Sequence, residues 1–252
     1  MTGIVLFDGL VIGWLIVAMA AFVALFFVVA PYGRHRRSGW GPTVGNRLGW
    51  IMMEAPAVLV FTVFFALSKH TGLTLLILSM MWGIHYIHRA FIFPLELRGR
   101  DEHMPLAVVI LALAFNLVNA SINGYYLFFL SGGYSTRWLL DARFLVGTAL
   151  FIAGFAINRQ ADLTLLRLRA PGHSGYRIPY GGLYRWISCP NYLGEIVEWV
   201  GWAVATWSLP GLAFAVWTMA NLVPRARAHH IWYHEHFPDY PSERRALLPG
   251  LW

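Results

Sequence analysis

The sequence predicts an all-α, polytopic integral membrane protein with seven transmembrane helices and no Rossmann domain. Three observations carry that expectation. The chain is 58% hydrophobic and only 12% charged, against about 25% charged residues in soluble domains. Its apolar runs recur at close to the ~20 residues a helix needs to cross the hydrocarbon core. No Gly-x-Gly-x-x-Gly follows a strand-like run, so any dinucleotide must be held by helices and loops. No stretch between the runs is long enough for a soluble domain, so residues 1–252 read as one membrane domain.

The first five spans fall near 4–30, 49–67, 72–94, 105–131 and 141–157. The opening run lacks a basic n-region and a small-residue cleavage site and is too long for a signal peptide, so it reads as a retained span. The apolar stretch 192–223 is too long for one helix, and Ser208-Leu209-Pro210-Gly211 divides it into a sixth and a seventh. Cys189 is the only cysteine, which excludes an internal disulfide.

Basic residues orient the spans. The loop after span one holds Arg34, Arg36, Arg37 and Arg47, and the loop after span three holds Arg98 and Arg100. Arg159, Arg167, Arg169, Arg177 and Arg185 follow span five, and Arg225, Arg227, Arg244 and Arg245 follow span seven. That side collects fifteen basic residues, against Lys69, Arg137 and Arg143 opposite. The expected N-terminus is therefore non-cytosolic and the C-terminus cytosolic. The net charge of +7 comes from 18 arginines and one lysine. Lipid headgroups, an anionic ligand and a GC-rich genome would each account for that total, so positions must decide.

Ionisable groups within spans are costly, roughly 2.5–3.5 kcal/mol each at the bilayer centre, and are functional candidates by default. Glu54 lies in span two, His85, Tyr86, His88 and Arg89 in span three, and Glu195 and Glu198 in span six. At about 1.5 Å of rise per residue they share one depth range, in the cytosolic half of the membrane. Asn191, Glu195 and Glu198, at i, i+4 and i+7, share a helix face. In span four Asn116, Asn119 and Asn123 form a second polar stripe, which reads equally as helix–helix glue or as the lining of a substrate pocket. Arg89 suits internal pairing with Glu54 or a span-six glutamate. His85 and His88 lack a third ligand set, so no metal is expected.

The segment after span five begins with a helix-like run, Asn158 to Ala170, stopped by Pro171-Gly172. Asn158, Asp162 and Arg169 share its face. An amide, a carboxylate and a guanidinium suit a nucleotide, although from spacing alone an ordinary wet face is the better account. Tyr176-Arg177 and Arg185 continue that chemistry. In the tail Arg225, His229 and Tyr233 recur at i, i+4 and i+8, with Arg244 and Arg245 beyond. Basic tails most often meet lipid headgroups; the interleaved aromatics and histidines suit a base or pyrophosphate at least as well.

These residues resemble a known family. Asp162, Arg169-Ala170-Pro171-Gly172, Tyr176-Arg177-Ile178-Pro179, Gly181-Gly182-Leu183, Asn191-Tyr192-Leu193-Gly194-Glu195 and Ala205-Thr206-Trp207-Ser208-Leu209-Pro210 are similar to the C-terminal half of steroid 5α-reductases. Arg225, His229-His230, Tyr233 and Asp239-Tyr240-Pro241 continue the match, and His85-Tyr86-Ile87-His88-Arg89 and Gly124-Tyr125-Tyr126-Leu127 match earlier motifs. The resemblance implies NADPH-dependent reduction of the Δ4 double bond of a 3-ketosteroid, with a substrate pocket in spans one to four and cofactor binding in 141–252. It implies cofactor contacts for Asn158, Asp162, Arg169, Tyr176, Asn191, Arg225, His229, Tyr233 and Arg244, with Glu195 at a neighbouring site position of open role. It implies that Glu54 and Tyr86 hold the 3-keto oxygen. Ser188-Cys189-Pro190 before Asn191, and Asn123 where a glutamine is expected, depart from the pattern.

Related readings are a membrane reductase of another enone, polyprenol or sterol, and a carboxyl methyltransferase using S-adenosylmethionine. A transporter would show internal repeats, and none is visible. The expected partners are a steroid-like lipid and membrane lipid, with no nucleic acid. The arginine bias leans toward a bacterial inner membrane over the endoplasmic reticulum. No oligomeric state is specified, and a monomer is compatible with the sequence.

Overall fold

The computed structural model describes residues 4–250 apart from Arg36, Ser38, Thr71, 98–101 and 170–174. Arg98, Arg100 and the Ala170-Pro171-Gly172 stop thus lie, like Arg36, outside the described residues. Helices dominate the fold: α1 (Val5–Phe27), α2 (Asn46–Leu67), α3 (Leu73–Ile87) with the short α4 (Phe93–Glu96), α5 (Leu106–Tyr125), α6 (Ala142–Leu168), α7 (Pro190–Thr206) and α8 (Leu209–His236). Five helical segments, Val5–Phe27, Asn46–Leu67, Leu73–Glu96, Leu106–Leu130 and Ala142–Leu168, are long and apolar enough to cross a membrane. α1 packs along α8 and leaves Val5, Leu6 and Phe27 more than four-fifths exposed. Such an apolar surface suits lipid and not water.

Several details depart from the expected architecture. The fold is not strictly all-α, because β1 (Thr43–Gly45) and β2 (His103–Pro105) pair antiparallel, with Thr43 opposite Pro105. Asn46 N donates to Glu102 O and Leu106 N to Pro42 O, both at 2.9 Å, at either end of this ribbon. The loops before α2 and α5 carry backbone groups that need partners, and they satisfy one another. The helix of span five does not end at 157. α6 continues through the helix-like stretch to Leu168, so Asn158 and Asp162 stand on the same rod as the fifth span. α8 likewise extends past 223 to His236. The break at Ser208–Gly211 is observed: Trp207 adopts a left-handed conformation (φ 44°), and Ser208 caps α8 by accepting from Gly211 N at 3.0 Å.

Two π-helical turns, His88–Ile92 between α3 and α4 and Tyr126–Leu130 after α5, interrupt otherwise regular spans. Each inserts a residue into the helical phase, as π-bulges at functional sites often do. The core between them is aromatic. Phe61, Trp82, Tyr86, Trp199, Trp202 and Phe214 are all buried, with Phe61 stacked on Trp82 at 4.5 Å between centroids. Two of its indole N–H groups find acceptors: Trp82 donates to Ala57 O (3.1 Å) and Trp202 to Asn123 Oδ1 (3.0 Å).

The tightest seam joins α6 and α7. A Cβ on Gly154 would lie 2.3 Å from Glu198 N, and one on Gly147 2.3 Å from Ala205 N. Gly194 meets Asn158 N at 2.4 Å and Gly201 meets Phe151 N at 2.4 Å in the same way. The two backbones therefore touch directly, the close approach that small residues permit in membranes. We expect Gly154→Ala to destabilise the purified protein by roughly 1–3 kcal/mol, the usual range for overpacking. Gly9→Ala, where nothing lies within 4 Å of the added carbon, should leave the melting temperature in detergent unchanged.

Candidate active site

The direct seam between α6 and α7 fixes the residues one turn beyond it. Asn158 donates from Nδ2 to Asn191 O at 2.9 Å, and Asn191 Nδ2 donates to Asp162 Oδ1 at 3.3 Å. Arg89, delivered by the π-turn after α3, donates from Nη1 to Asp162 Oδ2 at 3.0 Å and places Nη2 3.7 Å from Glu195 Oε2. Its guanidinium carbon also lies 4.5 Å from the Trp50 ring centroid and 4.7 Å from that of Phe93. Arg89 thus pairs with a span-six glutamate, as expected, and with Asp162 besides. Deeper in, His85 Nδ1 and Glu198 Oε1 lie 2.8 Å apart, both residues buried, and tie α3 to α7.

Next to His85, Tyr86 is buried and belongs to a second polar group. Its hydroxyl donates to Asn116 Oδ1 at 3.3 Å, and Asn116 Nδ2 donates to Glu54 Oε2 at 3.1 Å and to Met53 O at 2.7 Å. Glu54 and Tyr86, from different spans, are thereby held around one amide. Asn119 and Asn123 continue the stripe: Asn123 Nδ2 donates to Asn119 O at 3.0 Å, and its Oδ1 accepts from Trp202. Asn119 Nδ2 is buried beside the Tyr86 hydroxyl. Asn123 serves helix packing, whereas Asn116 faces the carboxyl–phenol pair.

A third group lies at the end of α8. His229 Nε2 and the Tyr192 hydroxyl are 2.9 Å apart, and His229 Nδ1 lies 3.2 Å from His35 Nε2 with the two rings stacked. Arg225 lies over the Tyr32 ring at 4.2 Å and the Tyr192 ring at 5.6 Å. Arg34 donates from Nη2 to the Tyr233 hydroxyl at 3.1 Å and lies over the rings of Tyr233, Trp232 and Tyr176. Among the described residues its Nη1 is buried with no hydrogen-bond partner. From the sequence Arg34 counts only toward orientation, and His35 carries no expectation. Tyr32-Gly33-Arg34-His35 carries the same interleaving of aromatic, histidine and arginine that marked the tail, and that signal would have found them.

Two expected site residues stand apart. Arg169 Nη1 donates to Glu102 Oε2 at 3.2 Å, and Asn46 Nδ2 donates to the same oxygen at 3.1 Å. Arg244 is buried in the tail, where Nη1 donates to Pro179 O at 3.0 Å beside the rings of Tyr180 and Tyr240. That contact, with the Ile187–Arg245 bridge, folds the tail against the 178–189 loop.

The family model described as 3-oxo-5-alpha-steroid 4-dehydrogenase matches residues 102–252. The chain belongs to this family. Steroid 5-alpha-reductase DET2 of Gossypium hirsutum is 40% identical over 243 residues, 94% of each chain. The Arabidopsis thaliana protein of that name is 41% identical over 238 residues, 91% of this chain and 90% of its own. The Bos taurus 3-oxo-5-alpha-steroid 4-dehydrogenase 1 is 40% identical over 238 residues, 92% of each. As a member of the 3-oxo-5-alpha-steroid 4-dehydrogenase family the chain is an oxidoreductase, and the helix-rich, lipid-suited surface fits a membrane enzyme.

In this family member the histidine pair has a defined charge state. Burial, then the neighbouring Arg34, Arg37 and His236, hold His35 down at about 4, from an ordinary 6.5. The folded form therefore binds fewer protons than the unfolded chain between those values, so stability falls as pH drops from about 6.5 toward about 4. Melting curves across that window should show the fall, and His35→Asn should lessen it, while His230, held down to about 4 in the same way, keeps the remainder.

Proposed function

We propose that this chain reduces the Δ4 double bond of a 3-ketosteroid with NADPH, giving the 5α-dihydrosteroid. The observation that carries the reading is the pairing of Glu54 and Tyr86 around Asn116, two oxygen-bearing groups from separate spans at one buried point. Tyr86 and a protonated Glu54 both donate to the substrate's 3-keto oxygen and stabilise the negative charge that develops there, an oxyanion-hole role. Bound NADPH supplies the hydride for C5. Water completes the addition with a proton at C4.

The residues at the end of α8 fit a polyanionic cofactor. Arg34 carries a buried, unpaired N–H, and Arg225 has aromatic faces but no ion pair among the described residues. Arginine forks of this kind suit phosphate. We assign cofactor binding to residues 141–252 through Asn158, Asp162, Arg169, Tyr176, Asn191, Glu195, Arg225, His229, Tyr233 and Arg244. The pocket for the steroid lies in spans one to four. Asp162 and Asn191 offer acceptor and donor groups for ribose or base, held in register by Arg89 and Asn158. In the proposed topology seven spans cross a bacterial inner membrane with the C-terminus cytosolic. The ribbon that joins the loops before α2 and α5 supports placing both on one side.

The decisive assay is NADPH oxidation by detergent-purified protein with and without progesterone or testosterone, with the product identified by mass. A steroid-dependent gain of two hydrogens at the 4,5 bond is expected. NADPH binding without turnover would shift the substrate to another enone, polyprenol or sterol. Neither binding nor turnover by folded protein would favour the S-adenosylmethionine methyltransferase reading. Glu54→Gln and Tyr86→Phe should each fold and lose about 10²–10³ in kcat, the usual loss for one oxyanion donor. Full activity in either variant would remove this role. Arg169→Ala should raise the KM for NADPH while leaving kcat near wild type, and an unchanged KM would take Arg169 out of the cofactor site.

A further inference from the structure

The polar stripe of α5 holds one residue whose bonds all converge on the proposed chemistry. Asn116 is buried. The Met53 carbonyl can only accept, so the atom 2.7 Å from it must be the amide nitrogen, and this fixes which way the amide points. The second N–H of that nitrogen goes to Glu54 Oε2, and Oδ1 is left to face the Tyr86 hydroxyl. Both donors are used, and the acceptor is turned to the phenol.

The lengths are graded. The bond to the backbone is short at 2.7 Å, while those to Glu54 and Tyr86 are 3.1 and 3.3 Å. The amide is anchored firmly to α2 and holds the two reactive groups loosely enough for a ligand oxygen to take them over. Pro56 in α2 lacks the N–H that would pair with Met52 O, the carbonyl next to that of Met53. The bond to Glu54 also sorts its two oxygens. Oε2 accepts from Asn116, so the proton of a neutral Glu54 resides on Oε1, the oxygen free to donate.

We propose that Asn116 is a positioning residue, which sets Glu54 and Tyr86 as one preorganised unit and fixes which Glu54 oxygen donates. The proposal rests on the reading that this pair holds the substrate's 3-oxygen. A residue that only joined helices would affect stability; a positioning residue changes rate and pH dependence as well.

The test uses full-length protein in detergent, with steroid reduction as readout. Asn116→Leu should lower kcat by about 10²-fold, the scale of a slightly misplaced reactive group, with the KM for NADPH unchanged. Combined with Tyr86→Phe it should cost little more than Tyr86→Phe alone, because groups acting as a unit are not additive. Asn116→Asp keeps the shape and decides the matter even where the leucine variant fails to fold. Ionised, the new carboxylate cannot donate to Glu54 or Met53; protonated, it can. Its activity should therefore rise more steeply than the wild type's as pH falls.

Wild-type kcat in folded Asn116→Leu, additive losses with Tyr86→Phe, or a wild-type pH profile in Asn116→Asp would each overturn the proposal. These outcomes are distinct from failure of the underlying reading, which would appear as full activity in Glu54→Gln or Tyr86→Phe.

Discussion

The backbone contact between α6 and α7 is the constraint on which the polar interior depends. Gly147 and Gly154 on one helix and Gly194 and Gly201 on the other are each seven residues apart, so they recur on one face and form a continuous seam. Phe151, Asn158 and Asp162 extend the α6 face, and Asn191 and Glu198 extend the α7 face. The same strip that brings the backbones together thus carries the polar groups. With no side chain between the helices at these four glycines, neither can slide or rotate without a clash. That rigidity keeps the Asn158–Asn191–Asp162 chain in register far more firmly than its individual hydrogen bonds, each worth about 1 kcal/mol net, could do alone.

Charge balance is the second consequence. Glu54, Asp162, Glu195 and Glu198 cluster around Arg89 and His85. Arg89 engages Asp162 and Glu195 at once, while Glu198 is left to His85. Desolvation makes such buried pairs poor contributors to stability, and an apolar interior would have been easier to fold. Their retention makes sense as a way to present fixed dipoles at a reaction site. Trp50 and Phe93 flank Arg89 with ring faces, so its charge is directed toward the carboxylates and not toward lipid.

Much of this was legible from residues alone, for identifiable reasons. Span positions follow from apolar run lengths, and the α7–α8 break from Ser208 and Pro210. Intramembrane glutamates and histidines stand out because lipid makes them rare. The π-turns at His88–Ile92 and Tyr126–Leu130 left no such mark, since an extra residue in a helix does not alter composition. The ribbon of β1 and β2 is three residues a side, too short to show period-two alternation. The unbroken α6 was hidden because Asn158 and Arg159 look like the polar end of a span, whereas one turn is buried against α7 and the other ion-paired to Glu96. The link from Glu54 to Tyr86 needed three dimensions, because it runs through an asparagine more than fifty residues from one partner and thirty from the other.

The arrangement at the end of α8 shows why the first span's loop belongs to the site. Tyr32, Arg34 and His35 supply an aromatic face, a guanidinium and an imidazole to residues nearly two hundred positions later. α1 otherwise touches the body mainly through α8. Docking of the α1 loop therefore rests on the bonds of Arg34 to Tyr233 and of His35 to His229 as well as on the packing of α1 along α8.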